Sequence, residues 1–169
     1  RLRPDLILLD ISMPLLNGVD AARQLKKLLP DVNLIFVTMH ADPAYVSEAF
    51  KAGASAYLLK RSAARELEQA IDSVLKGQYF VTSLLTKDLV TTLSAGQAGL
   101  FAQRQELTPR QREVLQLIAE GRTIKEIASL LNISPKTVEF HKAQIIFHLN
   151  LRTTAELTKY ALAHGLTSA

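Results

Sequence analysis

The sequence runs to 169 residues, 48% hydrophobic and 21% charged, with a formal net charge of +4 and no cysteine. A disulfide framework and a thiolate metal site are thereby excluded, and no apolar run approaches the roughly 20 residues that span a bilayer. The positive excess is spread as +1 over residues 1–85, +1 over 86–105 and +2 over 106–169, which is too even to announce nucleic acid by itself.

Residues 1–77 alternate between two patterns. Leu6–Leu9, Leu34–Val37 and Ala56–Leu59 are short aliphatic runs, too short for helices and suited to strands buried on both faces. Between them Val19, Ala22, Leu25, Leu28 and Leu29 recur at helical spacing and Pro30 closes the segment. Tyr45 to Ala52 repeats the pattern before Gly53, and Ala64 to Leu75 repeats it before Gly77. A β-α-β-α-β-α order implies a parallel sheet. With three strands the sheet buries little and leaves an apolar edge at Leu6–Leu9, so this domain is expected to be incomplete at its N-terminus. Residues 78–106 are less committed. Leu84 to Leu93 suits a short helix, and Ser94 to Gly99 (SAGQAG) reads as an interdomain linker.

From Leu107 onward the pattern is helical, with a start signal at each element. Thr108-Pro109-Arg110-Gln111 and Thr123-Ile124-Lys125-Glu126 read as capping boxes, Ser134-Pro135 opens a third helix, and Thr153-Thr154-Ala155-Glu156 opens a fourth. The organisation expected is an α/β domain over residues 1–80, a linker over 81–106 and an all-α domain over 107–169.

In open parallel sheets ligands bind beyond the carboxyl ends of the strands. The three strands deliver Asp10, Thr38 and Lys60 to that edge. This set suits phosphoryl transfer to the carboxylate, with Asp10 as nucleophile, Lys60 as a point charge for the phosphoryl oxygens and Thr38 as a hydrogen-bond donor. Mg²⁺ would ordinarily assist and wants more than one carboxylate. No second acid is at hand: Asp5 lies at the other end of its strand and Asp42 lies past the next one.

LILLDISMPLLNG, IFVTMHAD and AGASAYLLKRS resemble the receiver domain of two-component response regulators. The resemblance implies a flavodoxin-like parallel sheet lacking its first two strands, with Asp10 as phosphoacceptor and Pro14 and Gly18 downstream of it. It implies that Ser12 lends a backbone carbonyl to Mg²⁺ beside Asp10, and that Thr38 and Tyr57 form a switch pair. It also implies that the acidic pair of the family's first strand is absent. The 169-residue chain is accordingly expected to be labelled poorly by small phosphodonors.

In the helical part, Ile124–Leu131 ends at Asn132, a short turn follows, and Ser134 caps a longer helix. Val138, Ile145 and Leu149 share one face and are expected in the core. Lys136, Glu139, Phe140, Ala143, Gln144 and Phe147 lie on the other. Such a helix suits a DNA major groove, although four capped amphipathic helices also fit other interaction modules. LTPRQREVL, GRTIKEIA, ISPKTVEFHK and ELTKYA are similar to the LuxR-type helix-turn-helix of NarL/FixJ-type regulators. By that resemblance Lys125 and Thr137 contact phosphates, which position the protein, and Lys136 on the outer face is a further expected DNA-binding residue. Glu139, Phe140 and Ala143 stand at the base-reading positions, with Lys142 on the adjoining backbone. His141 is expected to be a packed histidine rather than a base contact. The helix Ala155–Ala163 is the expected dimer contact.

The function expected is therefore a cytoplasmic, DNA-binding response regulator rather than an enzyme. A sensor histidine kinase would phosphorylate it at Asp10 in the full-length protein, and it would bind double-stranded DNA as a homodimer, with no membrane partner. A phosphorylation-independent regulator with a vestigial receiver is one alternative. An aspartyl-phosphate hydrolase of the haloacid dehalogenase type is another, but that class needs a second Asp where this chain has Ser12.

Overall fold

A computed structural model of the chain describes residues 3–86 and 107–167. The predicted helix over Leu84 to Leu93 falls largely outside these residues, and the SAGQAG segment falls wholly outside them. Residues 83–86 are helical.

Four parallel strands make one sheet in the order β1 (Leu6–Leu9), β2 (Asn33–Thr38), β3 (Ala56–Leu59) and β4 (Phe80–Val81). The helices between them are α1 (Gly18–Leu28), α2 (Pro43–Lys51) and α3 (Lys60–Leu75). The sequence pattern predicts three strands, and the fourth corrects it. A two-residue strand has no periodicity to detect. It pairs because the Phe80 N–H reaches the Ser55 carbonyl (3.1 Å) and the Thr82 N–H reaches the Tyr57 carbonyl (2.9 Å). Helix starts shift too. Asp42 caps α2 by accepting the Ala44 N–H at 2.8 Å, so the helix opens at Pro43 rather than Tyr45. The third helix begins at Lys60, immediately after β3, rather than at Ala64.

Strand alternation sorts the aliphatics to two faces. Ile35, Ala56 and Leu58 pack against Ala70 and Val74 of α3. Leu34, Phe36, Tyr57 and Leu59 are equally buried, and the Phe36 and Tyr57 rings stack at a centroid distance of 6.3 Å. This double-sided burial is what continuous apolar strands predict. Arg23 ties α1 to α2, bonding Asp20 at 2.8 Å and Glu48 at 2.9 Å. β1 is the end strand, and Leu8 remains 48% exposed.

The helices of the second compact unit are α4 (Pro109–Ala119), α5 (Ile124–Leu131), α6 (Pro135–Leu149) and α7 (Thr154–Ala163). Three begin with a complete capping box, on Thr108 with Gln111, Thr123 with Glu126 and Thr153 with Glu156. Ser134 caps α6 through the Thr137 N–H at 3.1 Å. Val114, Leu115, Ile127, Val138, Ile145 and Leu157 form a core around which the four helices pack. Asn132 ends α5 in the left-handed conformation (φ 53°), which asparagine tolerates better than most side chains. The Ile133 N–H then closes back on the Ala128 carbonyl at 3.0 Å. That closure makes the tight turn of a helix-turn-helix. No helix among the described residues is long and apolar enough to cross a membrane.

Candidate functional site

The parallel register brings the carboxyl ends of β1, β2 and β3 to one edge of the sheet. Asp10 follows β1 directly, Thr38 ends β2, and Lys60 is the first residue of α3 after β3. The Lys60 ammonium lies 2.6 Å from Asp10 Oδ2. The two side chains are 47% and 25% exposed, so the pair is open to solvent rather than sealed in the core. A partly exposed carboxylate held beside an ammonium is an arrangement chemically suited to taking up a phosphoryl group.

Gly18 shapes this edge from behind. Its N–H donates to the Ile11 carbonyl at 2.8 Å, and a Cβ on it would stand 1.9 Å from the Asp10 carbonyl oxygen. Only a residue without a side chain lets α1 start against the backbone that carries Asp10.

Thr38 and Tyr57 are both fully buried. The structure joins them through a residue that sequence reasoning missed, His40. The His40 N–H donates to Thr38 Oγ1 at 3.3 Å, and the His40 carbonyl accepts the Tyr57 hydroxyl at 2.9 Å. Burial pushes the Tyr57 phenol well above its ordinary range, with Tyr45, Asp42 and Asp10 adding to the effect, so it remains a donor. Burial also holds the His40 imidazole below its usual value, against the opposing pull of Asp10. No sequence signal marks this role, because both contacts use the main-chain groups of His40.

A second cluster went unread in the sequence. Glu66 of α3 accepts the hydroxyls of Thr82 and Ser83 at 2.5 Å each and the Ser83 N–H at 3.2 Å, and Thr82 meets Ser62 at 2.9 Å. Burial tends to raise the Glu66 carboxyl, but the bonds from Ser83, Thr82 and Ser62 outweigh it and hold the group below the usual carboxylate range. The cluster fixes the end of β4 and the helical turn at 83–86 onto the helix that carries Lys60.

Among the described residues, no group of three or more His, Cys, Asp or Glu side chains is placed to hold a metal ion. Asp10 and the Ser12 carbonyl fall short of the oxygen donors that Mg²⁺ takes, so the residues present do not make up a magnesium site by themselves.

In the helical unit, α6 is the second helix of the helix-turn-helix. Val138 and Ile145 are fully buried and Leu149 packs partly against the core, as the spacing predicts. Lys136, Glu139, Phe140, Ala143, Gln144 and Phe147 are all exposed. Thr137 and Lys142 are half-buried on the flanks, and Lys125 is exposed on the first turn of α5. Thr137 is occupied at the cap, its hydroxyl 2.8 Å from that of Ser134. His141 is partly buried, with Nδ1 wholly enclosed, which fits a packed ring better than a groove-facing one.

A parallel sheet with an aspartate, a hydroxyl and a lysine at its strand ends, followed by a helix-turn-helix, defines a signal-receiving transcriptional regulator. Residues 1–72 match the family described as response regulator receiver domain, and residues 105–161 match that of bacterial regulatory proteins, luxR family. The chain is similar to the transcriptional regulatory protein MctR of Rhizobium johnstonii, with 36% identity over 98% of this chain and 74% of that one. It is also similar to the oxygen regulatory protein NreC of Staphylococcus epidermidis, with 37% identity over 97% of this chain and 78% of that one. Among solved structures, RcsB of Salmonella typhimurium aligns at a TM-score of 0.59 and 27% identity, over 92% of this chain and 72% of that one. RcsB bound to promoter rprA in the presence of phosphomimetic BeF3⁻ aligns at 0.58 and 28%, over 94% and 75%. The chain belongs to the response regulators that join a receiver domain to a LuxR-type DNA-binding domain.

Proposed function

We propose that this regulator receives a phosphoryl group on Asp10 from a sensor histidine kinase and answers by binding double-stranded DNA through α6 as a homodimer in the cytoplasm. One observation carries the receiving half: the 2.6 Å pairing of Lys60 with Asp10 at the open ends of the strands. In the transfer, an Asp10 carboxylate oxygen attacks the phosphorus of a phosphohistidine. The O–P bond forms as the P–N bond breaks, and the departing imidazole nitrogen takes the electron pair and then a proton. Lys60 is then free to turn from the carboxylate to the new phosphoryl oxygens. Mg²⁺ accompanies this chemistry in receiver domains, and here it would need oxygen donors beyond Asp10 and the Ser12 carbonyl.

Thr38, His40 and Tyr57 make the element by which the phosphoryl group is sensed. If the Thr38 hydroxyl turns toward the phosphoryl oxygens, it gives up the His40 N–H and loosens the segment that anchors Tyr57. On the DNA side, Lys125, Lys136, Thr137 and Lys142 position the domain through phosphates and the helix entry, while Glu139, Phe140 and Ala143 read bases. The promoter-bound RcsB structure supports this use of the fold, and α7 supplies the dimer contact.

The testing experiment is selection of duplexes from a random pool by the purified chain, followed by binding titrations over a range of salt. The reading expects enriched duplexes with two-fold symmetry and an affinity that falls as salt rises. Recovery of an unenriched pool would remove the DNA-reading assignment.

A further inference from the structure

Of the three capping boxes in the helical unit, those of α5 and α7 are closed by a glutamate, Glu126 and Glu156. The box of α4 is closed by Gln111. A carboxylate serves a capping box as well as an amide does, so the cap alone does not require glutamine here. The amide has a second task. Gln111 Oε1 accepts the Thr108 N–H at 2.8 Å, and a main-chain N–H can only donate. That bond fixes which end of the amide is the oxygen. Nε2 is therefore the end turned away from the cap, where it donates to Gln144 Oε1 at 3.3 Å. Gln111 is buried, whereas Gln144 is exposed on the outer face of α6. The polarity of a buried cap is thereby handed to a surface side chain. With its oxygen turned inward, Gln144 presents an NH₂ group, two donors and no acceptor, to whatever lies against α6.

Resting on the DNA-binding reading above, we infer that Gln144 donates a hydrogen bond to a DNA phosphate and that Gln111 is the positioning residue that holds it in donor polarity, both beyond the DNA-binding residues already named. Gln144 is the tenth of the fifteen residues of α6. A helix-turn-helix meets base edges with the N-terminal residues of its second helix, so this third turn falls to the sugar-phosphate backbone. Phosphate oxygens only accept, and glutamine is among the side chains that bind them. A carbonyl oxygen turned outward at the same place would be repelled. The contact differs in kind from those of Lys136 and Lys142. A neutral amide adds a hydrogen bond without a cation, so it releases no counterion. Its loss should lower affinity without changing the salt dependence.

The test uses the full chain, its Gln144→Ala, Gln111→Glu and doubly substituted variants, and duplexes enriched from a random pool. Binding is read by fluorescence anisotropy over a range of salt. Alanine is a good helix former at an exposed position, and Gln111→Glu keeps the capping box, so each variant should melt with the parent. In Gln111→Glu the new carboxylate faces Gln144, turns that amide over and spends its NH₂ group inward. Gln144→Ala should weaken selected and random duplexes alike, by about tenfold per half-site, the scale of a hydrogen bond to a charged group, with an unchanged salt slope. Gln111→Glu should weaken binding comparably, yet have no further effect once residue 144 is alanine. Methylphosphonates placed singly along the selected duplex should reveal one phosphate per half-site whose loss the parent feels and both variants do not. A Gln111→Glu loss that persists in full in the double variant reflects added charge alone and overturns the positioning role. A lowered melt of Gln111→Glu overturns it too, by showing that the cap itself needs the amide. A changed sequence preference in Gln144→Ala overturns the phosphate contact. Parent-like binding by Gln144→Ala overturns the inference and leaves the DNA-binding reading standing. Failure of the parent to bind any duplex at low salt overturns both.

Discussion

The Tyr57 hydroxyl donates to the His40 carbonyl at 2.9 Å, and that carbonyl belongs to the residue whose N–H donates to Thr38 Oγ1 at 3.3 Å. One main-chain unit therefore holds the buried aromatic and the buried strand-end hydroxyl together. Tyr57→Phe keeps the ring stacked on Phe36 and removes only the donor. It should cost about 1 kcal/mol of unfolding free energy, the net worth of one hydrogen bond, or somewhat more if the His40 carbonyl stays unsatisfied. Urea denaturation of both chains checks this, and an unchanged midpoint would mean that water replaces the lost donor.

The Lys60–Asp10 pair should matter little to stability. Its side chains are 47% and 25% exposed, and exposed ion pairs contribute up to about 1 kcal/mol. A double-mutant cycle of Asp10→Asn and Lys60→Gln, read in urea, should give a coupling below that value. A coupling of several kcal/mol would make the pair a structural cornerstone instead of a site held ready for a phosphoryl group.

Gly18→Ala should destabilise the α/β unit, because its Cβ would stand 1.9 Å from the Asp10 carbonyl oxygen, a backbone atom that cannot rotate aside. Overpacking of this kind costs roughly 1–3 kcal/mol. A thermal melt should show a lowered transition, and a wild-type melting curve would show that the start of α1 can slide away from Asp10.

The Glu66 cluster predicts a pH dependence. The carboxyl is held below its usual value by Ser83, Thr82 and Ser62, so the folded state prefers it ionised. Its contribution is fully present above the unfolded value near 4.5 and is lost as pH falls through the lowered folded value. The stability difference between the parent chain and Glu66→Gln should thus be constant at neutral pH and shrink below about pH 4.5. A difference that grows on acidification would contradict the bonding described.

On DNA, Glu139→Ala should change which sequences are preferred, since a carboxylate can accept from cytosine N4. Lys142→Ala should weaken binding to all sequences and reduce the salt slope by about one. Competition titrations with selected and random duplexes separate the two. Equal effects of both variants on every sequence would remove the base-reading role of Glu139.

Much of this was legible in order along the chain. Strands buried on both faces are uninterrupted aliphatic runs, and helix starts carry their own caps, so Leu34–Val37 and the boxes at Thr108, Thr123 and Thr153 declare themselves locally. The carboxylate, hydroxyl and lysine at the site also follow from sequence, because a residue after a buried strand must emerge at the sheet edge. β4 was not legible: its two residues are held by hydrogen bonds to Ser55 and Tyr57 of a distant segment, not by any pattern of their own. Neither was His40, whose role lies in its main-chain groups, which every residue type possesses. The Glu66 cluster joins residues 16 and 17 positions apart, beyond any helical or strand period.

The sequence by itself determined which residues reach the strand ends and which face of α6 is apolar inward, because periodicity and caps act over a few residues. Only the tertiary structure decided that Lys60 closes on Asp10 and that His40 joins Thr38 to Tyr57. Those facts depend on register, backbone hydrogen bonds and burial, and these arise when distant segments pack.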